Sequence, residues 1–217
     1  MNIVFLIILL AIAFIGIITA EATDWQKLRY VTKPFIMPVM ALLYTFITHN
    51  FSPIIIAALG FSFGGDIFLL WPKNNKCFLF GLIAFLIAHG LYIYGILQWL
   101  IVFHKIPAIA FTSVIIYFVI GICIFNLLKK GLGKLKIPVI VYMSFLLGMS
   151  FLSMLLFIFN CSYTTGFVFT GSIFFIISDS ILALHNFRKP KRFAGVYFMI
   201  TYVMAQAFIV IGFSELF

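Results

Sequence analysis

Ile3–Ala20 reads IVFLIILLAIAFIGIITA, eighteen residues without a charge, a proline or an amide side chain. At 1.5 Å of rise per residue, a helix of this stretch is about 27 Å long, close to the thickness of a bilayer's hydrocarbon core. Its apolar residues form a continuous run rather than a stripe of period 3.6 or an alternation of period 2, so it reads as a membrane span and not as the flank of a soluble core. Ala20 and Ala22 imitate a signal-peptide cleavage site, but Met1-Asn2 supplies no positive n-region, and the segment is read as a retained helix.

Outward from this first segment at 3–20, charged or proline-rich breaks cut the 217 residues into seven more pieces, at 31–48, 52–71, 78–99, 106–128, 137–158, 164–185 and 194–214. The expected fold is therefore all-α: a polytopic membrane protein, one transmembrane domain over residues 1–217, built as a bundle of eight transmembrane helices. Composition agrees, with 65% of residues hydrophobic and 9% charged. Soluble domains carry roughly 25% charged residues, which excludes a water-soluble globule. Membrane β-barrels alternate apolar and polar residues, and this sequence does not. The connections are too short to hold a soluble module. Cys77, Cys123 and Cys161 fall in separate segments with no CxxC pair, which argues against a disulfide framework or a thiolate zinc site.

The net charge of +9 suggests nucleic acid until the basic residues are located. Twelve fall in the odd-numbered connections: Lys27 and Arg29, Lys73 and Lys76, Lys129 to Lys136, and Arg188 to Arg192. The second and sixth connections, around His49–Ser52 and Asn160–Tyr163, have none, and the fourth has only Lys105. No basic stripe sits on a module that could bind nucleic acid, and none is expected as a partner. The asymmetry is a topology signal that puts the odd connections in the cytoplasm and both termini outside, as in a bacterial inner (plasma) membrane.

Five acids remain to be explained. Glu21, Asp24 and Glu215 lie at helix ends within reach of water, whereas Asp66 and Asp179 lie inside apolar helices. A central Asp costs about 2.5–3.5 kcal/mol on insertion scales, so the pair is read as functional rather than stabilising. Counted from the cytoplasmic connections, Asp66 is roughly 9 Å deep and Asp179 roughly 14 Å, with Tyr142 and Tyr202 at about 9 and 15 Å and His89 and Gln206 at roughly 20 Å. These groups line a funnel narrowing from the cytoplasm, with Lys33 at its mouth. Tyr202 and Gln206 are i,i+4, His89 and Tyr92 are i,i+3, and Ser62 is i−4 to Asp66, so each pair faces one way from its helix. Gly64, Gly65, Gly171, Ser172 and Ser178 flank the aspartates and suit close helix packing.

Two carboxylates near each other in a low-dielectric pocket cannot both ionise cheaply, so one holds a proton as an acid while the other acts as a base. That pairing serves hydrolysis of an acetal-like or ether-like bond through an oxocarbenium ion, or water attack on an amide. Serine hydrolase chemistry fits less well, because no GxSxG occurs and Ser178 and Ser180 have no evident His partner. Metal chemistry fits poorly: His49 and His104 lie at the opposite side and His185 near the cytoplasmic end, leaving only His89 deep. No metal and no cofactor is expected. Two other classes stay open. An intramembrane aspartyl protease also uses two membrane aspartates, but its Pro-Ala-Leu element is missing, Pro107-Ala108-Ile109 being the nearest string. A lipid or proton-coupled transporter would use the carboxylates as a relay, yet the Pro38-to-Asp66 and Pro138-to-Asp179 offsets differ and establish no internal repeat.

Lys33-Pro34 opening the second helix, Gly65-Asp66 late in the third, Phe80-Gly81…Phe85…His89…Tyr92 in the fourth, Ser178-Asp179 in the seventh and Tyr202…Ala205-Gln206 in the eighth together resemble the YhhN-type lysoplasmalogenase family. The resemblance implies an integral-membrane hydrolase that cleaves the vinyl ether bond of lysoplasmalogens to a fatty aldehyde and a glycerophospho-ethanolamine or -choline. Its partners would be the lysophospholipid and the membrane lipid around it, with the oligomeric state open. On this reading Asp179, the deeper carboxylate, is the acid and Asp66 activates water. Lys33 meets the substrate phosphate, with pairing to Asp66 as the alternative. Tyr142, Tyr202, His89 and Gln206 orient the ether oxygen and water, with Tyr92 and Ser178 beside them in the candidate substrate-binding set.

Overall fold

The computed structural model describes residues 3–48, 51–71, 74–100, 108–188 and 191–216. Of the residues singled out above, His49, Lys73, His104, Lys105, Pro107 and Lys189 lie outside them. Among the described residues the chain forms eight α-helices: α1 Ile3–Thr23, α2 Gln26–Ile47, α3 Pro53–Phe68, α4 Asn75–Leu100, α5 Ala108–Leu128, α6 Lys136–Phe159, α7 Tyr163–Phe187 and α8 Ala194–Leu216. A single 3-10 turn, Gly133–Leu135, leads into α6. The protein is a polytopic, all-α membrane bundle.

Six of these helices, α1, α2, α4, α6, α7 and α8, are long and apolar enough to cross a membrane. Of the other two, α3 is the short one, with 16 residues against 21 in α5. In α3 the difference from the expected 52–71 lies at its end. The N–H of Leu70 turns to the carbonyl of Ile67 and that of Trp71 to Phe68, a tighter i→i+3 pattern that closes the helix. Trp71 also precedes Pro72 in the sequence, and a residue before proline is steered out of the helical region.

The first connection differs more. The expected gap of ten residues between 20 and 31 shrinks to Asp24 and Trp25, because α1 runs on to Thr23 and α2 begins at Gln26. Asp24 takes the left-handed conformation, with φ of 53°, which aspartate tolerates better than most residues and which reverses the chain within two residues. Glu21, Lys27 and Arg29 are thus helical residues, and Arg29 meets Glu21 across the hairpin. Lys33 stands two turns into α2 rather than at its start. Other ends follow ordinary capping: Pro53 occupies the first turn of α3, Asn74 Oδ1 accepts from the Lys76 and Cys77 N–H groups, and Ser162 with Thr165 forms a capping box before α7.

α1 packs on α2, α3 on α4 and α7 on α8, with α6 bridging α4 and α7. The α7–α8 approach passes over Gly171, where a methyl group would land 2.9 Å from the Ala205 carbonyl. The five largest sealed side chains, Tyr44, Tyr92, Tyr202, Phe175 and Phe213, fill the centre. Ile15 on α1 and Ile115 and Phe118 on α5 point outward, as helices do whose solvent on that side is lipid. The three cysteines are unpaired.

Candidate active site

The two membrane aspartates are each met by a tyrosine hydroxyl. From α8, the Tyr202 hydroxyl donates to Asp66 Oδ2 at 2.8 Å. From α6, the Tyr142 hydroxyl donates to Asp179 Oδ2 through a very short bond. Tyr202, the partner of Asp66, lines the same cavity as Asp179. The helical spacings seen in the sequence place α3 against α8 through two rungs one turn apart. Asp66 meets Tyr202, and Ser62, four residues before Asp66, accepts from Gln206 Nε2 at 3.0 Å, four residues after Tyr202. The Tyr92 hydroxyl then donates to Gln206 Oε1 at 2.8 Å and completes the second rung.

The environments of the two carboxylates differ. Asp66 is sealed, and its second oxygen, Oδ1, lies 3.6 Å from the Lys33 ammonium. Lys33 therefore points inward instead of snorkelling to the headgroup layer, with its ammonium also 5.6 Å from the centre of the Phe198 ring. Gly65, beside Asp66, leaves room for the Phe85 ring, which a Cβ would meet at 2.5 Å. Phe85 in turn stands edge-on to Tyr202 and fixes its ring. Asp179 is only partly buried and lines an apolar cavity of about 60 Å³, shared with Tyr142, Tyr202, Phe85, Leu146 and Leu182. That volume holds a few water molecules or a short length of alkyl chain.

His89 is fully buried between Tyr142 and Phe175, edge-on to both rings. Its Nδ1 lies 2.6 Å from the Phe85 carbonyl, a bond that requires the proton on Nδ1 and leaves Nε2 as an acceptor. Nε2 has no hydrogen-bond partner among the described residues. Ser178 is the expected site residue that stands apart. Its hydroxyl donates to the Phe198 carbonyl at 3.4 Å, within the α7–α8 packing. No three histidine, cysteine or acidic side chains gather as a metal site among the described residues.

A second, wider cavity of about 710 Å³ opens at the basic end of the bundle, between the α1–α2 hairpin, the end of α3 and the α7–α8 turn. Lys33 is on its floor. Leu69, Leu182 and Phe198 line both cavities and form the partition between them. The sequence reading leaves out the residues of this vestibule, because Arg29, Tyr30, Lys191 and Arg192 read as connections and Trp71 as the end of a span. A signal was present all the same: two of the chain's five acids, Glu21 and Asp24, fall within eight residues of Arg29.

These observations define a class: a helical membrane protein whose interior holds two tyrosine-bonded carboxylates below a charged vestibule. The chain belongs to the YhhN family, whose sequence pattern matches residues 28–213. It is 28% identical over 172 residues to lysoplasmalogenase TMEM86A of Bos taurus, a span that covers 78% of this chain and 68% of that protein. No solved structure matches it. The family match begins at Leu28, beyond α1, and takes in every candidate site residue from Lys33 to Gln206.

Proposed function

We propose that the chain is a lysoplasmalogenase-type hydrolase, which cleaves the vinyl ether bond of lysoplasmalogens to a fatty aldehyde and a glycerophospho-ethanolamine or -choline. The observation that carries this reading is the position of Asp179, held by Tyr142 on the wall of an apolar cavity. Membership of the family and the activity named for the bovine relative support it.

Vinyl ethers are cleaved by protonation at carbon, which needs a positioned acid in a dry site. Protonated Asp179 transfers its proton to the β-carbon, whose π electrons form the new C–H bond, and the α-carbon and ether oxygen share the oxocarbenium charge. Water then bonds to the α-carbon and gives a proton to the Asp179 carboxylate. The resulting hemiacetal loses its C–O bond to glycerol, whose oxygen takes the proton from Asp179, while the hemiacetal hydroxyl gives its own proton to the Asp179 carboxylate as the C=O bond forms and the aldehyde is released. One water is consumed and the acid is regenerated.

Asp66 is sealed, so it acts on the water through Tyr202. Tyr202 donates to Asp66, which leaves its oxygen lone pairs to accept from a water in the cavity. Lys33 supplies the positive charge that complements an ionised Asp66. His89, edge-on to Tyr142 and lining neither cavity, braces the Tyr142 ring. The excess of basic residues in the odd-numbered connections supports a vestibule that opens toward the cytoplasm.

The direct test gives purified protein in detergent a lysoplasmalogen and, separately, its saturated ether analogue, and measures aldehyde release. Cleavage confined to the vinyl ether is expected. Cleavage of neither substrate ends this reading.

A further inference from the structure

We propose that the vestibule at the basic end is a binding site for a zwitterionic headgroup, taking phosphate on the α7–α8 side and an ammonium group on the α2–α3 side. The proposal rests on the lysoplasmalogenase reading for the identity of the lipid, and adds where its headgroup sits and what selects it.

The vestibule is within the usual size range of small-molecule sites, and its charges are sorted by position. On the α7–α8 side stand Lys191 and Arg192, neither with a carboxylate in ion-pair range among the described residues. The last turn of α7 adds two buried polar atoms without partners, His185 Nδ1 and Asn186 Nδ2. Two cations with no carboxylate partner on one wall of the cavity are a setting that a phosphate oxygen would satisfy.

The opposite wall is built for a cation. Tyr30 and Trp71 stack with ring centres 5.6 Å apart and form an aromatic surface on the cavity. An ammonium, quaternary or primary, is drawn to such ring faces. Asp24 adds a carboxylate with a side chain 94% exposed, loosely placed 3.7 Å from Arg29.

The remaining two charges neutralise each other. Arg29 meets Glu21 twice, Nε to Oε1 at 2.8 Å and Nη2 to Oε2 at 3.0 Å. Glu21 is pinned there over the first turn of α8, where any Cβ on Gly195 would lie 2.1 Å from its carboxylate. Lys33 is likewise engaged by Asp66. That leaves a cationic cluster, Lys191 and Arg192, at the α7–α8 turn and an aromatic–acidic cluster, Tyr30, Trp71 and the exposed Asp24, at the α1–α2 hairpin and the end of α3. The glycerol carbons between phosphate and ether would then cross the Leu69–Leu182–Phe198 partition toward Asp179.

The test measures binding of non-hydrolysable saturated lysolipids to the full chain in maltoside detergent by calorimetry. Ligands of one chain length carry phosphocholine, phosphoethanolamine, phosphoglycerol or bare phosphate. Both zwitterionic lipids are expected to bind about tenfold tighter than the phosphoglycerol lipid, a difference within the range of one cation–π contact with a carboxylate beside it. Trp71→Ala and Asp24→Asn should each remove most of that preference, and Trp71→Phe should keep it. Asn also tolerates the left-handed backbone, so Asp24→Asn reports on charge rather than folding. Lys191→Met with Arg192→Met should weaken all four lipids together. Equal affinity for all four headgroups, or a preference untouched by Trp71→Ala and Asp24→Asn, overturns the proposal. Because no ligand is cleaved, headgroup discrimination can stand without vinyl ether hydrolysis, and hydrolysis without discrimination leaves the functional reading intact while ending this one.

Discussion

The Lys33 ammonium lies 3.6 Å from Asp66 Oδ1, with side chains only 5% and 1% exposed. A buried pair of this kind is costly to break, because removing one partner strands the other charge at about 3–5 kcal/mol. Lys33→Met is therefore expected to lower the thermal stability of the detergent-purified protein and to reduce kcat with KM nearly unchanged. Lys33→Met combined with Asp66→Asn should recover stability and stay inactive. A single mutant with a raised KM, intact kcat and intact melting temperature would return Lys33 to the phosphate.

Asp179 lines the apolar cavity, and Tyr142 is its one protein partner at hydrogen-bond distance among the described residues. Positioned acid–base groups contribute about 10²–10⁴-fold, so Asp179→Asn should lose at least that much turnover while the protein still purifies as a monodisperse species. Tyr142→Phe removes one hydrogen bond to a charged or acidic oxygen and should cost about ten- to a hundredfold in kcat. Activity in Asp179→Asn above roughly a hundredth of wild type would rule it out as the acid.

The loop asymmetry, twelve basic residues against one, makes a prediction about sidedness. With an even number of helices both termini share a side, and the poorly charged connections lie on it. A reporter fused after Phe217 that is active only outside the cytoplasm should give signal, and a cytoplasm-only fluorescent reporter should stay dark. The reverse result would place the vestibule at the outer face.

Much of this architecture is legible from local sequence because a membrane helix must satisfy its own backbone and face lipid, and both requirements leave long apolar runs. The same locality explains how the α3–α8 rungs could be read: Ser62 with Asp66 and Tyr202 with Gln206 are each one turn apart on a helix. What the sequence hides is the direction of long side chains. Lys33 reads as a phosphate ligand at the funnel mouth because the expected span starts five residues late, at 31 rather than Gln26, and the left-handed Asp24 that sets the true start depends on the hairpin it closes. Ser178 looked like a site residue by adjacency to Asp179, yet neighbours in a helix point about 100° apart, and its hydroxyl ends in the α7–α8 seam. The vestibule was hidden for a third reason, being assembled from the ends of five helices.

The last prediction concerns how a sealed carboxylate takes part. Asp66 lines neither cavity, whereas Tyr202, whose hydroxyl it accepts at 2.8 Å, lines the one that Asp179 shares. If Asp66 works only through Tyr202, then Asp66→Asn, which also unpairs Lys33, and Tyr202→Phe both abolish the charge-assisted bond between the two residues. Each should lower kcat by about ten- to a hundredfold, the scale of one hydrogen bond to a charged group, and the double variant should be little worse than either alone. Tyr92→Phe serves as the comparison, since it breaks the second rung, one turn away and clear of both cavities. It should reduce stability by about 1 kcal/mol and leave kcat within a few-fold of wild type. Losses that multiply in the Asp66→Asn, Tyr202→Phe double variant would mean that Asp66 reaches the reaction by a route other than Tyr202.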